Sequence, residues 1–82
     1  MQRQTYALAT ILWGRYTDST HIETLADAIK ELFSEFSDER LIDLYSLLEE
    51  RVSSKPATFL QLVLEVDHCL EENENFWTNR II

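Results

Sequence analysis

The chain has few of the residues that interrupt regular structure: its 82 residues include one glycine, one proline and one cysteine. Because tight turns depend on glycine and proline, this scarcity argues against a turn-rich all-β protein. The single Cys69 excludes an internal disulfide. No signal peptide is recognisable, and no apolar run approaches the ~20 residues of a membrane-spanning helix. We therefore expect a soluble, cytoplasmic protein that does not associate with membranes.

Basic residues are also scarce. Seven Lys and Arg residues stand against fifteen Asp and Glu residues, which gives a formal net charge of −8. Nucleic acids and anionic lipids are bound through clustered basic side chains, so direct binding to either is not expected. A negative field instead favours association with a basic protein partner.

The residues that are abundant indicate helices. Hydrophobic residues make up 45% of the chain, and their spacing follows the helical period over four stretches. We predict helix 1 over Thr5–Tyr16 and helix 2 from a Thr20–Glu23 capping box to Phe36. Helix 3 should begin after a Ser37 cap, and helix 4 should begin near Pro56 and end at the polar stretch 73–75. The expected fold is all-α: one domain over residues 1–82, a small four-helix bundle with a docked C-terminal segment.

The C-terminal segment is too apolar to be left in water. It either folds back on its own core or contacts another copy of the chain. Helix 4 is apolar nearly all round, so it is either central or carries an oligomer interface. A homodimer is therefore possible, with contact residues Phe76, Trp77, Ile81 and Ile82.

Four carboxylates recur at intervals of four residues within predicted helix 2. On a continuous helix they would form a ridge ~18 Å long, with one charge per ~6 Å. Duplex DNA presents one charge per ~1.7 Å, so this ridge alone is too sparse to imitate DNA. It either contacts a basic partner, together with acidic residues of helix 3, or is only a solvated face. The candidate partner-binding residues are Glu23, Asp27, Glu31, Glu35, Asp38, Glu39 and Asp43.

Signs of catalytic or metal chemistry are weak. Glu65 and His68 form the Glu-x-x-His pair that di-iron bundles use, but those sites need two such motifs and this chain has one. A metal site would thus have to be assembled between two copies. Cys69 directly follows His68, and adjacent residues on a helix do not face each other, so the two side chains do not form a Cys–His catalytic pair. We expect no enzyme, no cofactor and no metal; a metal-binding helical bundle is a third alternative.

Residues 21–51 carry a pattern that extends over predicted helices 2 and 3. Its members are Ile22, Thr24, Leu25, Ile29, Glu35, Ser37, Asp38, Leu41, Tyr45, Ser46 and Arg51. In this pattern the stretch resembles, without gaps, the middle of the Hha/YmoA family, small helical bacterial proteins that modulate gene silencing by binding the nucleoid protein H-NS. The run Glu49-Glu50-Arg51 stands where that family has Asp-His-Arg, and the similarity breaks down in the Pro56 helix. The resemblance implies a helical adaptor protein.

These features together favour a non-enzymatic, acidic protein-binding module. The hypothesis is an inhibitor or modulator of a basic nucleic-acid-binding protein or nuclease, either of the DNA-mimic, immunity or anti-defence type that phages and mobile elements encode, or an Hha-like adaptor. An exposed Trp13 or Trp77 could anchor the contact. The alternative is a homodimeric helical scaffold whose acidity serves only solubility.

Overall fold

The computed structural model describes residues 3–17, 24–52 and 56–79. These residues form four helices, α1 (Arg3–Thr17), α2 (Leu25–Leu32), α3 (Asp38–Arg51) and α4 (Phe59–Asn79). No strand occurs within the described ranges. The predicted all-α fold, a small four-helix bundle, is confirmed.

The four helices occupy the corners of the bundle. α1 packs against α2 and α4, and α3 packs against the same two helices. In the described part of the chain neither diagonal pair is in contact, so α4 is not central, which was one of the two alternatives that its apolar sequence suggested. None of the helices in the described residues has the length and apolarity needed to cross a bilayer. Every helix contributes to one apolar core, which includes Leu8, Leu12, Leu25, Ile29, Leu44, Leu48, Leu62, Val63 and Val66.

α3 begins as its sequence predicts. Ser37 has an extended backbone, and its hydroxyl oxygen accepts a hydrogen bond from the Arg40 amide at 3.2 Å. This bond satisfies one of the amides that a helix leaves unpaired at its first turn. Asp38 and Glu39 in the first turn and Arg51 in the last turn match the polarity of the helix dipole.

α2 is shorter than predicted. Thr24 has an extended backbone, with ψ of 157°, and its hydroxyl oxygen accepts a hydrogen bond from the Asp27 amide at 3.1 Å. Thr24 is therefore the cap, and no helix runs continuously from residue 20 to residue 36; the predicted Thr20–Glu23 capping box lies outside the described residues. At the other end Phe33 leaves the helical conformation, is buried, and stacks on Phe36 at a centroid distance of 5.0 Å. Burial of this ring accompanies the end of the helix.

α4 is longer than predicted, because residues 73–75 do not interrupt it. The C-terminal segment does dock on its own chain, but residues 76–79 do so as the last turn of α4 rather than as a separate element. The indole N–H of Trp77 donates a hydrogen bond to the Asp43 carboxylate on α3 at 3.2 Å. The other two predicted dimer residues, Ile81 and Ile82, lie outside the described ranges.

Candidate protein-binding surface

The predicted acidic ridge is not one helical row. Asp27 and Glu31 lie one turn apart on α2, and both are exposed. Glu35 is also exposed but belongs to the turn after α2, while Glu23 lies outside the described residues. The cause is the short extent of α2, which holds only the middle two of the four positions.

The predicted contact residues of α3 fall into two groups. Asp38 and Glu39 are exposed in its first turn. Asp43 is half-buried, and its Oδ2 atom accepts hydrogen bonds from Asn73 Nδ2 at 2.8 Å and from Trp77 Nε1 at 3.2 Å. Those two bonds hold α3 against α4, so the Asp43 carboxylate has a structural role within the chain.

Asn73 lies at the centre of a polar junction between α3 and α4. Its side chain is fully buried. Its Oδ1 atom accepts a hydrogen bond from Arg40 Nε at 2.9 Å, and its Nδ2 atom donates to the Arg40 carbonyl at 3.2 Å as well as to Asp43. A buried amide needs such partners, because leaving it unpaired is costly. Sequence patterns missed this residue, since asparagine inside a helix usually indicates a break.

A second row of carboxylates does share a helix face, on α4. Asp67, Glu71 and Glu74 are spaced by four and three residues, which places them on one side of the helix. Together with Glu35 they line an open depression of about 790 Å³ between α1, the turn after α2, α3 and α4. We refer to it as the acidic depression. Its full lining is Gln4, Thr5, Phe33, Glu35, Phe36, Arg40, Asp67, Leu70, Glu71 and Glu74.

The acidic depression has a buried floor and a charged rim. Thr5 and Phe33 are only 1% and 3% exposed, whereas Glu35, Glu71 and Glu74 are exposed. The Thr5 hydroxyl is buried and has no hydrogen-bond partner among the described residues. The floor thus combines an aromatic ring with an unsatisfied polar group, which is uncommon in a folded interior.

Arg40 is the basic residue of this lining, and its guanidinium is already engaged. The guanidinium carbon lies 3.6 Å from the centroid of the Phe36 ring, and Nε donates to Asn73. Its position is therefore set by a cation–π contact on one side and by a buried amide on the other. The depression has a net negative charge in spite of Arg40, because four carboxylates line it.

Most carboxylates of the described residues face solvent, and few of them have a basic partner among those residues. Among the described residues, every Asp and Glu except Asp43 and Asp67 is exposed. The described residues contain one ion pair, between Arg51 on α3 and Glu72 on α4 at 2.7 Å. The surface formed by these residues is therefore strongly negative, and few of its charges are compensated by a basic side chain.

The two tryptophans are not exposed anchors, contrary to the prediction. Trp13 is partly buried and meets Phe59 edge to face, at a centroid distance of 5.9 Å, while Trp77 packs on α3. The exposed aromatic side chains include Tyr6 at 50% and Phe76 at 45%.

The groups that could carry chemistry are dispersed. Glu65 and His68 are exposed on α4, and the described residues hold no cluster of three or more side chains suited to a metal ion. Burial raises the pKa of the Cys69 thiol to about 11, and the thiol donates to the Leu47 carbonyl at 3.7 Å. At neutral pH this thiol is almost entirely protonated and hence a poor nucleophile.

Comparison of the chain with models of protein families, with curated proteins and with solved structures yields no match.

Proposed function

We propose that the protein is a non-enzymatic, acidic protein-binding module that inhibits or modulates a basic nucleic-acid-binding protein or nuclease. One observation supports this proposal: nearly all carboxylates of the described residues are exposed, and those residues contain a single ion pair. Such a surface attracts a basic partner over distances of about a Debye length, ~10 Å at 0.1 M salt. A partner that uses its own basic face for nucleic acid would be blocked by this contact.

The spacing of the charges favours contacts to individual basic side chains. Along α4, Asp67 and Glu74 are seven residues apart, so the row spans ~10 Å with one carboxylate per ~5 Å. A single DNA strand carries one phosphate per ~3.4 Å. The α4 row is therefore too sparse to imitate a phosphate strand, and the module competes with nucleic acid by occupying selected Lys or Arg residues.

The similarity of residues 21–51 to the Hha/YmoA family suggests one specific form of this proposal. In that form the partner is a nucleoid protein, and the module modulates its binding to DNA. The resemblance covers α2 and α3, whereas the acidic depression adds α1 and α4. The two parts of the surface can be tested separately by substitution.

The experiment begins with capture from cell extract at low salt and elution at high salt. A basic protein recovered in this way is then purified, and its dissociation constant is measured between about 0.1 and 1 M sodium chloride, where the Debye length falls from ~10 to ~3 Å. We expect affinity to fall steeply with salt and the module to displace DNA from the partner. A partner whose affinity is independent of salt, or that binds DNA and the module together, would contradict the proposal.

A homodimeric scaffold is the second candidate, and exposed apolar residues of α4 favour it. Leu60 and Leu64, one turn apart, are 64% and 52% exposed, and Phe76 is 45% exposed near the helix end. Exposed apolar patches on small proteins often mark protein contacts. Light scattering after size exclusion would test this candidate, because a dimer held by these residues should persist in ~1 M salt and dissociate when Leu60 and Leu64 are replaced by Ser.

A further inference from the structure

We propose that an apolar groove between α2 and α3 receives an amphipathic helix of the partner, whose apolar stripe is flanked by Lys or Arg residues. The inference rests on the proposed function and specifies the binding face and the kind of segment that occupies it. The groove has an open volume of about 520 Å³ and shares no lining residue with the acidic depression. We refer to it as the α2–α3 groove, and its apolar lining is Ala26, Ile29, Leu41, Ile42 and Tyr45.

The α2–α3 groove exposes apolar side chains that the bundle core does not bury. On α3, Ile42 is 66% exposed and Tyr45 is 37% exposed. On the opposite wall Ala26 of α2 is exposed as well. Isoleucine is among the residues most often buried, and a contiguous apolar patch with a polar rim usually marks a contact surface. Grooves between helices typically bind an amphipathic helix through the apolar residues of one of its faces, so a helix is the expected occupant.

Carboxylates on both sides of the exposed apolar pair determine the charge of the occupant. Four exposed residues of α3 are spaced by four, three and four positions, so they share one face of the helix. They are, in order along the chain, Asp38, Ile42, Tyr45 and Glu49. The two carboxylates are separated by ~16 Å along the helix axis, or about three turns. A helix that lies along this face and carries Lys or Arg at each end of its apolar stripe would complement both carboxylates.

Charge argues against a second copy of the chain as the occupant. In a two-fold dimer through the α2–α3 groove the same face meets itself, so Asp38 and Glu49 would oppose a second pair of carboxylates. Lys30, the basic residue of the groove lining, compensates only one of them. Each copy also has a formal net charge of −8, which adds to the repulsion. A basic partner would replace this repulsion with attraction.

The test measures fluorescence anisotropy of a labelled, helical Leu/Lys peptide with one apolar face, about four turns long. A scrambled peptide has the same composition and charge but no apolar face, and a Leu/Glu peptide has Glu in place of every Lys. The variant I42S removes apolar surface from the groove. Its matched control is L60S, because Leu60 lies on α4, outside the groove, and is 64% exposed against 66% for Ile42.

A second pair of variants tests the charges. D38N/E49Q neutralises the two carboxylates that flank the apolar pair. E71Q/E74Q removes the same charge from exposed positions of α4 that do not line the groove. Thermal unfolding of each variant shows whether the fold is intact, as expected for substitutions at exposed positions.

We expect the Leu/Lys peptide to bind the wild type about tenfold more tightly than the scrambled peptide, and the Leu/Glu peptide not to bind. I42S should weaken the Leu/Lys peptide about five- to tenfold, because the isoleucine is buried on binding, whereas L60S should change its affinity by about twofold or less. D38N/E49Q should weaken the same peptide about fivefold and make its affinity less dependent on salt. E71Q/E74Q should weaken it by about twofold or less, since it alters only the long-range field.

Failure of this inference can be distinguished from failure of the proposed function. If the scrambled peptide binds as tightly as the Leu/Lys peptide and I42S binds like the wild type, the binding is a diffuse effect of net charge; the groove is then not the site, while the acidic module remains. If the Leu/Glu peptide binds as well as the Leu/Lys peptide, the occupant is not basic and the inference is overturned. It is also overturned if light scattering shows a wild-type dimer that I42S dissociates and L60S does not, because a second copy then covers the groove. If the wild type binds neither basic peptide in low salt, the proposed function fails as well.

Discussion

Replacing Asn73 with alanine should destabilise the protein more than any exposed substitution on α4. The amide of Asn73 is fully buried and forms hydrogen bonds with Arg40 Nε, the Arg40 carbonyl and Asp43 Oδ2. Alanine would remove all three bonds at once. It would also leave a guanidinium and a carboxylate without their shared partner between α3 and α4.

The size of the effect follows from these three bonds. Net contributions are about 1 kcal/mol for a neutral hydrogen bond and about 1.5–3 kcal/mol for one to a charged group. Because Arg40 and Asp43 are half-buried, water can replace part of what is lost, and alanine regains about 0.6 kcal/mol through its better helix propensity. We expect a net loss of about 2–3 kcal/mol in the free energy of unfolding, which for a domain of this size lowers Tm by about 10–20 °C.

The assay is urea and thermal unfolding followed by circular dichroism at neutral pH. Asn75→Ala is the matched control, because Asn75 lies on the same helix, undergoes the same chemical change and is exposed. That control should be neutral or slightly stabilising, by up to about 0.6 kcal/mol. If N73A and N75A unfold within about 0.5 kcal/mol of each other, the polar junction contributes nothing measurable and the reasoning is refuted.

Three further predictions concern the Cys69 thiol, the Tyr16 phenol and the C-terminal turn of α4. Burial raises the pKa of the Cys69 thiol from its usual 9.0 to about 11, so folding favours the neutral thiol and the free energy of unfolding should fall as pH rises from 9.0 towards about 11. Urea titrations across this range should show a shallower fall in C69A than in the wild type, and equal slopes would contradict the assignment. Tyr16→Phe removes the hydrogen bond that the phenol donates to the Val52 carbonyl and should cost about 1 kcal/mol in urea unfolding, whereas an unchanged midpoint would show that the bond is not maintained in solution. Truncation after Asn75 removes Trp77 and its bond to α3, and should lower the Tm of the monomer; unchanged stability with loss of a dimer would instead place the segment at a subunit contact.

Helix caps and apolar spacing in the sequence correctly predicted those helices whose ends depend on nearby residues. The Ser37 hydroxyl caps α3 by accepting a hydrogen bond from the Arg40 amide, three residues along the chain. The residues that indicate this cap therefore lie within one helical turn. The apolar spacing likewise predicted helices at the positions of α1 and α3, which contribute Leu8, Leu12, Leu44 and Leu48 to the core. These features depend on neighbours in the chain, which is why one sequence sufficed.

The errors arose where distant residues decide the structure. Asn73 has a low helix propensity, yet it remains in α4 because its three bonds reach across to α3. Phe33 fits the helical period of α2, yet it leaves the helix and is buried beside Phe36. Asp43 resembles any surface carboxylate in the sequence, and only the packing of α3 on α4 shows that it is occupied.

The sequence predicted the acidic character of the candidate site but not most of the residues that form it. An acidic surface follows from composition, and Glu35 belongs both to the predicted ridge and to the acidic depression. The remaining carboxylates of the depression come from α4, and its floor comes from α1. No local pattern could bring Thr5 and Glu74 together, because they are joined only by the packing of α1 against α4.

The short length of α2 has a consequence for the order in which the fold opens. Isolated helices shorter than about 12–15 residues are marginal in water, and the eight residues of α2 depend on burying Leu25, Ala28 and Ile29 against α1 and α3. Backbone amides of α2 should therefore exchange with deuterium at a lower free energy than those of α3 and α4. Such local opening would loosen the turn that carries Phe33 and Glu35 while the α4 carboxylates stay in place, so a ligand held by both would slow exchange in α2.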